Sequence, residues 1–103
     1  MSDTKPVYDA DYFIAKFSAI PDENWGTQLY VNEKGQKCGL GHCGVKPGLE
    51  KPPEAVSLLN LFDSFLGQGV TGVNDYVSPW FPQETPKARI LAALQAIKEK
   101  ENQ

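Results

Sequence analysis

The residue types best suited to chemistry fall in one short segment, residues 38–44, with the sequence Cys-Gly-Leu-Gly-His-Cys-Gly. Cys38 and His42 are four positions apart, so a helix would place them on one face, with the imidazole as a base toward the thiol. Cys43 is a second candidate nucleophile, whose pKa a helix dipole would lower. A small thiol-dependent enzyme that uses Cys38 or Cys43 with His42 is therefore one functional hypothesis.

The same three side chains are also suitable ligands for zinc. A structural zinc site needs four ligands, and the sequence contains no other Cys or His. Asp75 or a water molecule would have to complete an open site. Single Cys and His residues more often lie in a core, where they pack or form hydrogen bonds, so we expect no bound metal.

Three glycines in this segment, Gly39, Gly41 and Gly44, satisfy the Gly-x-Gly-x-x-Gly pattern of dinucleotide-binding loops. That pattern works when an apolar strand leads into it, but residues 33–37 are polar. A chain of 103 residues is also short for the repeated strand and helix units of such a domain. We therefore expect no nucleotide and no other cofactor.

A second candidate site consists of Asn74, Asp75, Tyr76 and Trp80. An Asn-Asp pair in a glycine-flanked loop can present an amide and a carboxylate to a ligand. The structural alternative is an Asx-turn or a helix cap. Trp80, which stands between prolines next to Phe81, is likewise either a binding residue or a hydrophobic plug.

The elements that must position these residues form a mainly helical α+β domain with a short two-stranded hairpin. Helical spacing and capping residues predict a first helix over 9–19, a second from Pro53 or Glu54 to Gly67, and a third from Pro86. The hairpin would pair residues 27–31 with 36–38, and a short helix would follow from Cys38. The predicted core residues are Phe13, Phe17, Ile20, Trp25, Leu40, Leu58, Leu59, Phe62, Phe65, Ile90, Leu94 and Ile97.

Length and composition predict one globular domain over residues 1–103, with a flexible segment at 1–7 and a frayed one at 99–103. A net charge of -3 gives no electrostatic reason to bind nucleic acid. No apolar run is long enough to span a membrane, and the first residues do not have the pattern of a secretory signal. We therefore expect a cytoplasmic monomer or weak homodimer with reduced thiols.

The chain resembles small bacterial and phage proteins that share a sequence pattern rather than a known activity. The pattern comprises Trp25, Gly35-Gln36-Lys37-Cys38-Gly39-Leu40-Gly41, Asn74-Asp75 and the helix from Pro86. The resemblance implies that the segment after Cys38 opens a helix packed beneath the Asn-Asp loop, which would bury Cys38. Cys43, before Gly44 and a proline-rich loop, should be the more exposed thiol.

The preferred functional hypothesis is a non-enzymatic module that binds a protein partner or a small ligand. Such a module would suit a phage or mobile-element accessory protein that acts on a host partner. The thiol-dependent enzyme is the alternative.

Overall fold

The computed structural model describes residues 8–101, which fold as a small helical domain. A single 3₁₀ turn, Asp22–Asn24, follows the first helix in this part of the chain. The α-helices of the described residues are α1 Ala10–Ser18, α2 Gly39–His42, α3 Pro53–Leu66, α4 Val70–Asp75 and α5 Pro86–Glu101.

The long helices begin and end where the sequence predicts. The Asp9 carboxylate accepts a hydrogen bond from the Tyr12 backbone N–H at 2.9 Å and caps α1. Gly67, with φ +65°, ends α3 in the left-handed conformation that glycine adopts without strain. The Thr85 hydroxyl accepts from the Ala88 N–H at 3.2 Å at the start of α5.

Helix α5 lies at the centre of the domain, in contact with α1, α3 and α4, while α2 packs against α4. Its Ile90, Leu94 and Ile97 are fully buried, because the apolar stripe of α5 faces all three neighbouring helices. The predicted core is largely confirmed, and its three half-buried members are Ile20, Leu59 and Phe65. The buried hydrophobic residues outside the predicted set are Ala10, Cys38, Cys43, Val45, Ala55, Val70, Val73, Phe81 and Ala93.

The predicted two-stranded hairpin is wrong, and with it the α+β class. Within residues 8–101 the only strand-like pairing consists of isolated bridges from Lys37 to Trp25 and to Val31. The return segment thus meets both ends of residues 27–31 without pairing along them. Gln28 has φ +70°, which breaks an extended run, so residues 27–31 bulge outward as an irregular segment that we call the open loop.

Helix α4 contains Asn74 and Asp75, the pair that the sequence places in a glycine-flanked loop. It has only six residues, contains Gly72 and has no side-chain cap at its beginning, so no local signal marked it. Val70 and Val73 hold it on the core. No helix among residues 8–101 combines the length and apolar character needed to span a membrane.

Two of the predictions concern chain ends that the structure describes in part. The flexible segment predicted at 1–7 and residues 102–103 lie outside the described residues. The rest of the segment predicted to fray, residues 99–101, is helical and ends α5.

Candidate functional site

Cys38 lies at the beginning of α2, where its Sγ accepts a hydrogen bond from the Gly41 backbone N–H at 3.4 Å. Only 3% of the residue is exposed, so its predicted burial is confirmed. Burial raises the pKa of the thiol, because the charged thiolate loses solvation, and this outweighs the lowering effect of hydrogen bonds from the Gly41 and Leu40 backbone; the Asp75 carboxylate adds a smaller raising effect. Cys38 therefore acts as a helix cap and remains a protonated thiol near neutral pH.

Cys43 is just as buried, with 3% of the residue exposed, and the prediction that it is the more exposed thiol is wrong. It caps the other end of α2 and lies near Glu54, at the start of α3. Burial and the Glu54 carboxylate raise the pKa of Cys43 to about 12, against a smaller lowering effect of Lys16. This environment opposes thiolate formation instead of promoting it.

His42 packs its ring against aromatic side chains. Its ring centroid lies 4.6 Å from that of Trp25 and 6.5 Å from that of Phe17. Burial, with smaller contributions from the Lys37 and Lys16 charges, lowers the pKa of His42 to about 4. Its buried Nε2 has no hydrogen-bond partner, and no side-chain hydrogen bond among residues 8–101 joins it to Cys38 or Cys43. The predicted base and nucleophiles are neighbours in sequence but do not form a hydrogen-bonded pair.

The glycines of the Gly-x-Gly-x-x-Gly pattern have packing roles. A Cβ on Gly41 would lie 1.9 Å from the Tyr30 carbonyl oxygen, so only glycine lets the open loop rest on α2. Gly44 has φ +89°, in the left-handed region. These features account for Gly41 and Gly44 without a phosphate. Within residues 8–101, no group of three or more His, Cys, Asp or Glu side chains is arranged to hold a metal ion.

Asn74 is fully buried and connects three parts of the fold. Its Oδ1 accepts from the Gly39 N–H at 3.1 Å, and its Nδ2 donates to the Gly26 carbonyl at 3.0 Å and to Asp75 Oδ1 at 2.8 Å. Its own carbonyl accepts from Arg89 at 2.6 Å. With its amide used in this way, Asn74 positions the site and is not itself open to a ligand.

Asp75 reaches from α4 to the open loop. Its Oδ1 accepts a hydrogen bond from the Gln28 backbone N–H at 3.0 Å, which fixes the residue with positive φ. Between the two segments lies a cleft of about 360 Å³, which we call the Asp75 cleft. Its walls include Leu29, Tyr30, Val31, Pro47, Thr71 and Asp75.

Beyond Asp75, residues 76–81 form an exposed segment that we call the aromatic loop. Tyr76, Val77 and Trp80 are exposed, with Trp80 at 70%, whereas Phe81 is buried. The Ser78 N–H donates to the Phe81 carbonyl at 3.2 Å, and the Phe81 N–H donates to the Ser78 hydroxyl at 3.1 Å. Of these two aromatic residues, Phe81 is buried and anchors the turn, as a hydrophobic plug would. Trp80 is exposed to solvent and is not part of a plug.

The structure brings one of the predicted binding residues, Asp75, to the wall of the cleft. It leaves Tyr76 and Trp80 exposed and Asn74 inside the core. The cleft residues of the open loop were missed, because a predicted strand gave no reason to expect Leu29 and Val31 in solvent. Their apolar side chains in a short turn-flanked run were the only available signal.

Comparison of the sequence with protein-family profiles, with curated proteins and with solved structures found no match. The resemblance to small bacterial and phage proteins therefore stays a prediction, and function is argued from the site alone.

Proposed function

We propose that this protein is a non-enzymatic binding module that docks a protein partner on the surface formed by the open loop, Asp75 and the aromatic loop. The observation that carries the proposal is the exposure of Trp80 on a turn closed by two hydrogen bonds. Tryptophan supplies much of the binding energy in many protein interfaces, and an exposed cluster of large apolar residues is unusual on a surface without a binding role.

The aromatic loop is already ordered for binding. Phe81, with 6% of its surface exposed, anchors it in the core, while the adjacent Trp80 is presented outward. A side chain held on a fixed turn loses less conformational entropy on association than one on a mobile segment. Trp80 can therefore contribute to affinity with a small ordering cost.

Exposed apolar residues also lie on the open loop, which a hydrogen bond ties to the residue before the aromatic loop. The hydrogen bond between Gln28 N–H and Asp75 Oδ1 joins the segment that carries Leu29 to the segment that carries Tyr76. Leu29, Val31, Tyr76 and Val77 are all exposed. Asp75 and Glu84 flank the aromatic loop in sequence, and the net charge is -3, which favours a partner with basic residues around an apolar centre.

The thiol-dependent enzyme receives less support from the geometry, because burial raises the pKa of both thiols and His42 bonds to neither. The role of a phage or mobile-element accessory protein acting on a host partner rests on the resemblance, and it belongs to this proposal as the suggested origin of the partner.

Photo-crosslinking in cells of the native host tests the proposal. A benzoylphenylalanine at position 77, in the aromatic loop, should give one discrete adduct, whereas the same group at Val56, an exposed apolar position on α3, should not. Excess unlabelled wild-type protein should suppress the adduct, and Trp80→Ala should compete at least about tenfold more weakly. Equal competition by Trp80→Ala, or no adduct from position 77, would contradict the proposed docking surface.

A further inference from the structure

The two oxygens of the Asp75 carboxylate differ in their hydrogen bonding. Oδ1 accepts from the Gln28 N–H and from Asn74 Nδ2, which occupies both of its lone pairs. Within residues 8–101, no hydrogen bond or ion pair involves Oδ2. Arg89, the nearby cation, donates instead to the carbonyl oxygens of Val73, Asn74 and Gln83. The described part of the chain thus leaves the charge of Asp75 without a bonded cation.

The remainder of the Asp75 cleft is mostly apolar. Leu29, Val31 and Pro47 line it, and Thr71 adds a hydroxyl. Asp75 is half-buried, so a cationic group gains more from pairing with its carboxylate than with one in open water. The cleft volume, about 360 Å³, is near the lower end of the range for small-molecule sites and suits one long side chain rather than a cofactor.

We infer that the Asp75 cleft receives a lysine side chain of the protein partner, an inference that rests on the proposed function. The lysine ammonium bonds to Asp75 Oδ2, and its methylene stem lies against Leu29 and Val31. Lysine fits better than arginine, because the planar guanidinium binds a carboxylate best through both oxygens and Oδ1 is already occupied. A partner side chain fits better than a free amine, because Leu29, Val31 and Asp75 of the cleft wall also belong to the proposed docking surface.

The first test is an NMR titration of the ¹⁵N-labelled full chain with a capped tripeptide that carries lysine between two valines. Matched tripeptides carry norleucine, which keeps the stem without the charge, or arginine. The lysine peptide should shift the backbone amide resonances of Gln28, Leu29 and Thr71. It should bind about tenfold more tightly than the norleucine peptide, the effect of one charge-assisted hydrogen bond, and more tightly than the arginine peptide. Equal affinities for lysine and norleucine would overturn the inference.

Two variants show whether the effect belongs to the cleft. Asp75→Asn keeps an oxygen that can accept from Gln28 N–H, and it should abolish the preference for lysine over norleucine. Asp63→Asn makes the same change at an exposed position on α3, outside the cleft, and should leave that preference unchanged. If Asp75→Asn displaces the open loop, Leu29→Gln provides a second measurement, and it should weaken the lysine and norleucine peptides by the same factor. Unchanged binding in both cleft variants overturns the inference.

Two further results separate this inference from the proposed function. If n-butylammonium binds the cleft as tightly as the lysine peptide, the site takes small amines and the partner-lysine inference is overturned. In the crosslinking experiment, Asp75→Asn should compete less well than wild type for the position-77 adduct. Full competition by Asp75→Asn with weak competition by Trp80→Ala would overturn the lysine inference alone, whereas loss of the position-77 adduct would overturn the docking surface itself.

Discussion

Two short segments of this protein contain residues of reactive or binding type, and the fold treats them in opposite ways. Residues 38–45, which we call the glycine segment, place both thiols in the core at 3% exposure. The aromatic loop, residues 76–81, places Trp80 in solvent at 70% exposure. Residue type alone made the glycine segment the stronger candidate for chemistry. Solvent exposure of the sulfur and the charges around it therefore decide whether a thiol is reactive or structural.

The difference has an identifiable structural cause in each segment. The glycine segment is covered because Gly41 lets the Tyr30 carbonyl come close and because Asn74 holds the Gly39 N–H. The aromatic loop stays exposed because the turn closed by Ser78 and Phe81 buries Phe81 and leaves the adjacent Trp80 in solvent. Close backbone packing hides the first segment, and a tight turn exposes the second.

The largest expected effect concerns the thiols, whose burial the comparison depends on. In the native protein, alkylation of Cys38 and Cys43 by iodoacetamide at pH 8 should be at least about a hundredfold slower than alkylation of glutathione, because both thiols are buried and protonated. Cys38→Ser and Cys43→Ser variants allow each thiol to be measured alone. Unfolding in urea should restore ordinary reactivity.

Fast alkylation would contradict this assignment of both thiols to the core. Rapid alkylation of either thiol, with a midpoint below the ordinary pKa of about 8.5 and a dependence on His42 tested by His42→Ala, would return the thiol-dependent enzyme to first place.

The second prediction concerns the glycine that covers the segment. Gly41→Ala would place a Cβ 1.9 Å from the Tyr30 carbonyl, so the open loop must shift, and we expect a loss of about 3 kcal/mol in the free energy of unfolding. Gly72→Ala in α4 is the matched control, because its Cβ meets no atom within 4 Å and alanine is the better helix former by up to about 1 kcal/mol. Urea denaturation measures both, and equal midpoints would show that Gly41 has no packing role.

Local sequence signals predicted the parts of the fold in which one element determines its own structure. Asp9, Gly67 and Thr85 mark helix ends by side-chain or backbone chemistry that acts within one turn. The structure of the open loop was not predicted, because its conformation depends on a residue distant in sequence. Gln28 adopts φ +70°, and its N–H donates a hydrogen bond to Asp75, 47 positions away. No residue type next to Gln28 in the sequence predicts that bond.

The candidate site was predictable in part for the same reason. Asn74, Asp75, Tyr76 and Trp80 were named from their types, but their division into a buried connector, a cleft carboxylate and exposed aromatic residues comes from tertiary contacts. Cys43 was expected in solvent because of the neighbouring glycine and prolines. It is instead part of the core, as is Val45, and lies near Glu54 at the start of α3.

The third prediction concerns the pH dependence of stability that His42, in the glycine segment, produces. Its pKa is about 4 when folded and near 6.5 when unfolded, so protonation favours the unfolded chain. The contribution of neutral His42 to stability is complete above pH 6.5 and is lost as the pH falls toward 4. After allowance for partial solvent screening we expect a loss of about 1 to 2 kcal/mol. His42→Phe should lose less stability over this range, and parallel pH profiles would contradict the assignment.

The smallest expected change in stability is that of Trp80→Ala, which is best compared with Phe81→Ala because the two aromatic residues are adjacent in one turn. Trp80 is 70% exposed, so Trp80→Ala should change the free energy of unfolding by no more than about 0.5 kcal/mol. Phe81 is 6% exposed, and Phe81→Ala should cost about 3 kcal/mol through the cavity it leaves. Thermal or urea unfolding of the two variants measures the difference. A large loss for Trp80→Ala would mean that Trp80 packs on the domain in solution, and the docking surface would then lack its main residue. A small loss, together with weakened competition for the partner, would assign Trp80 to recognition, because a side chain that binds without stabilising the fold must gain its contacts from another molecule.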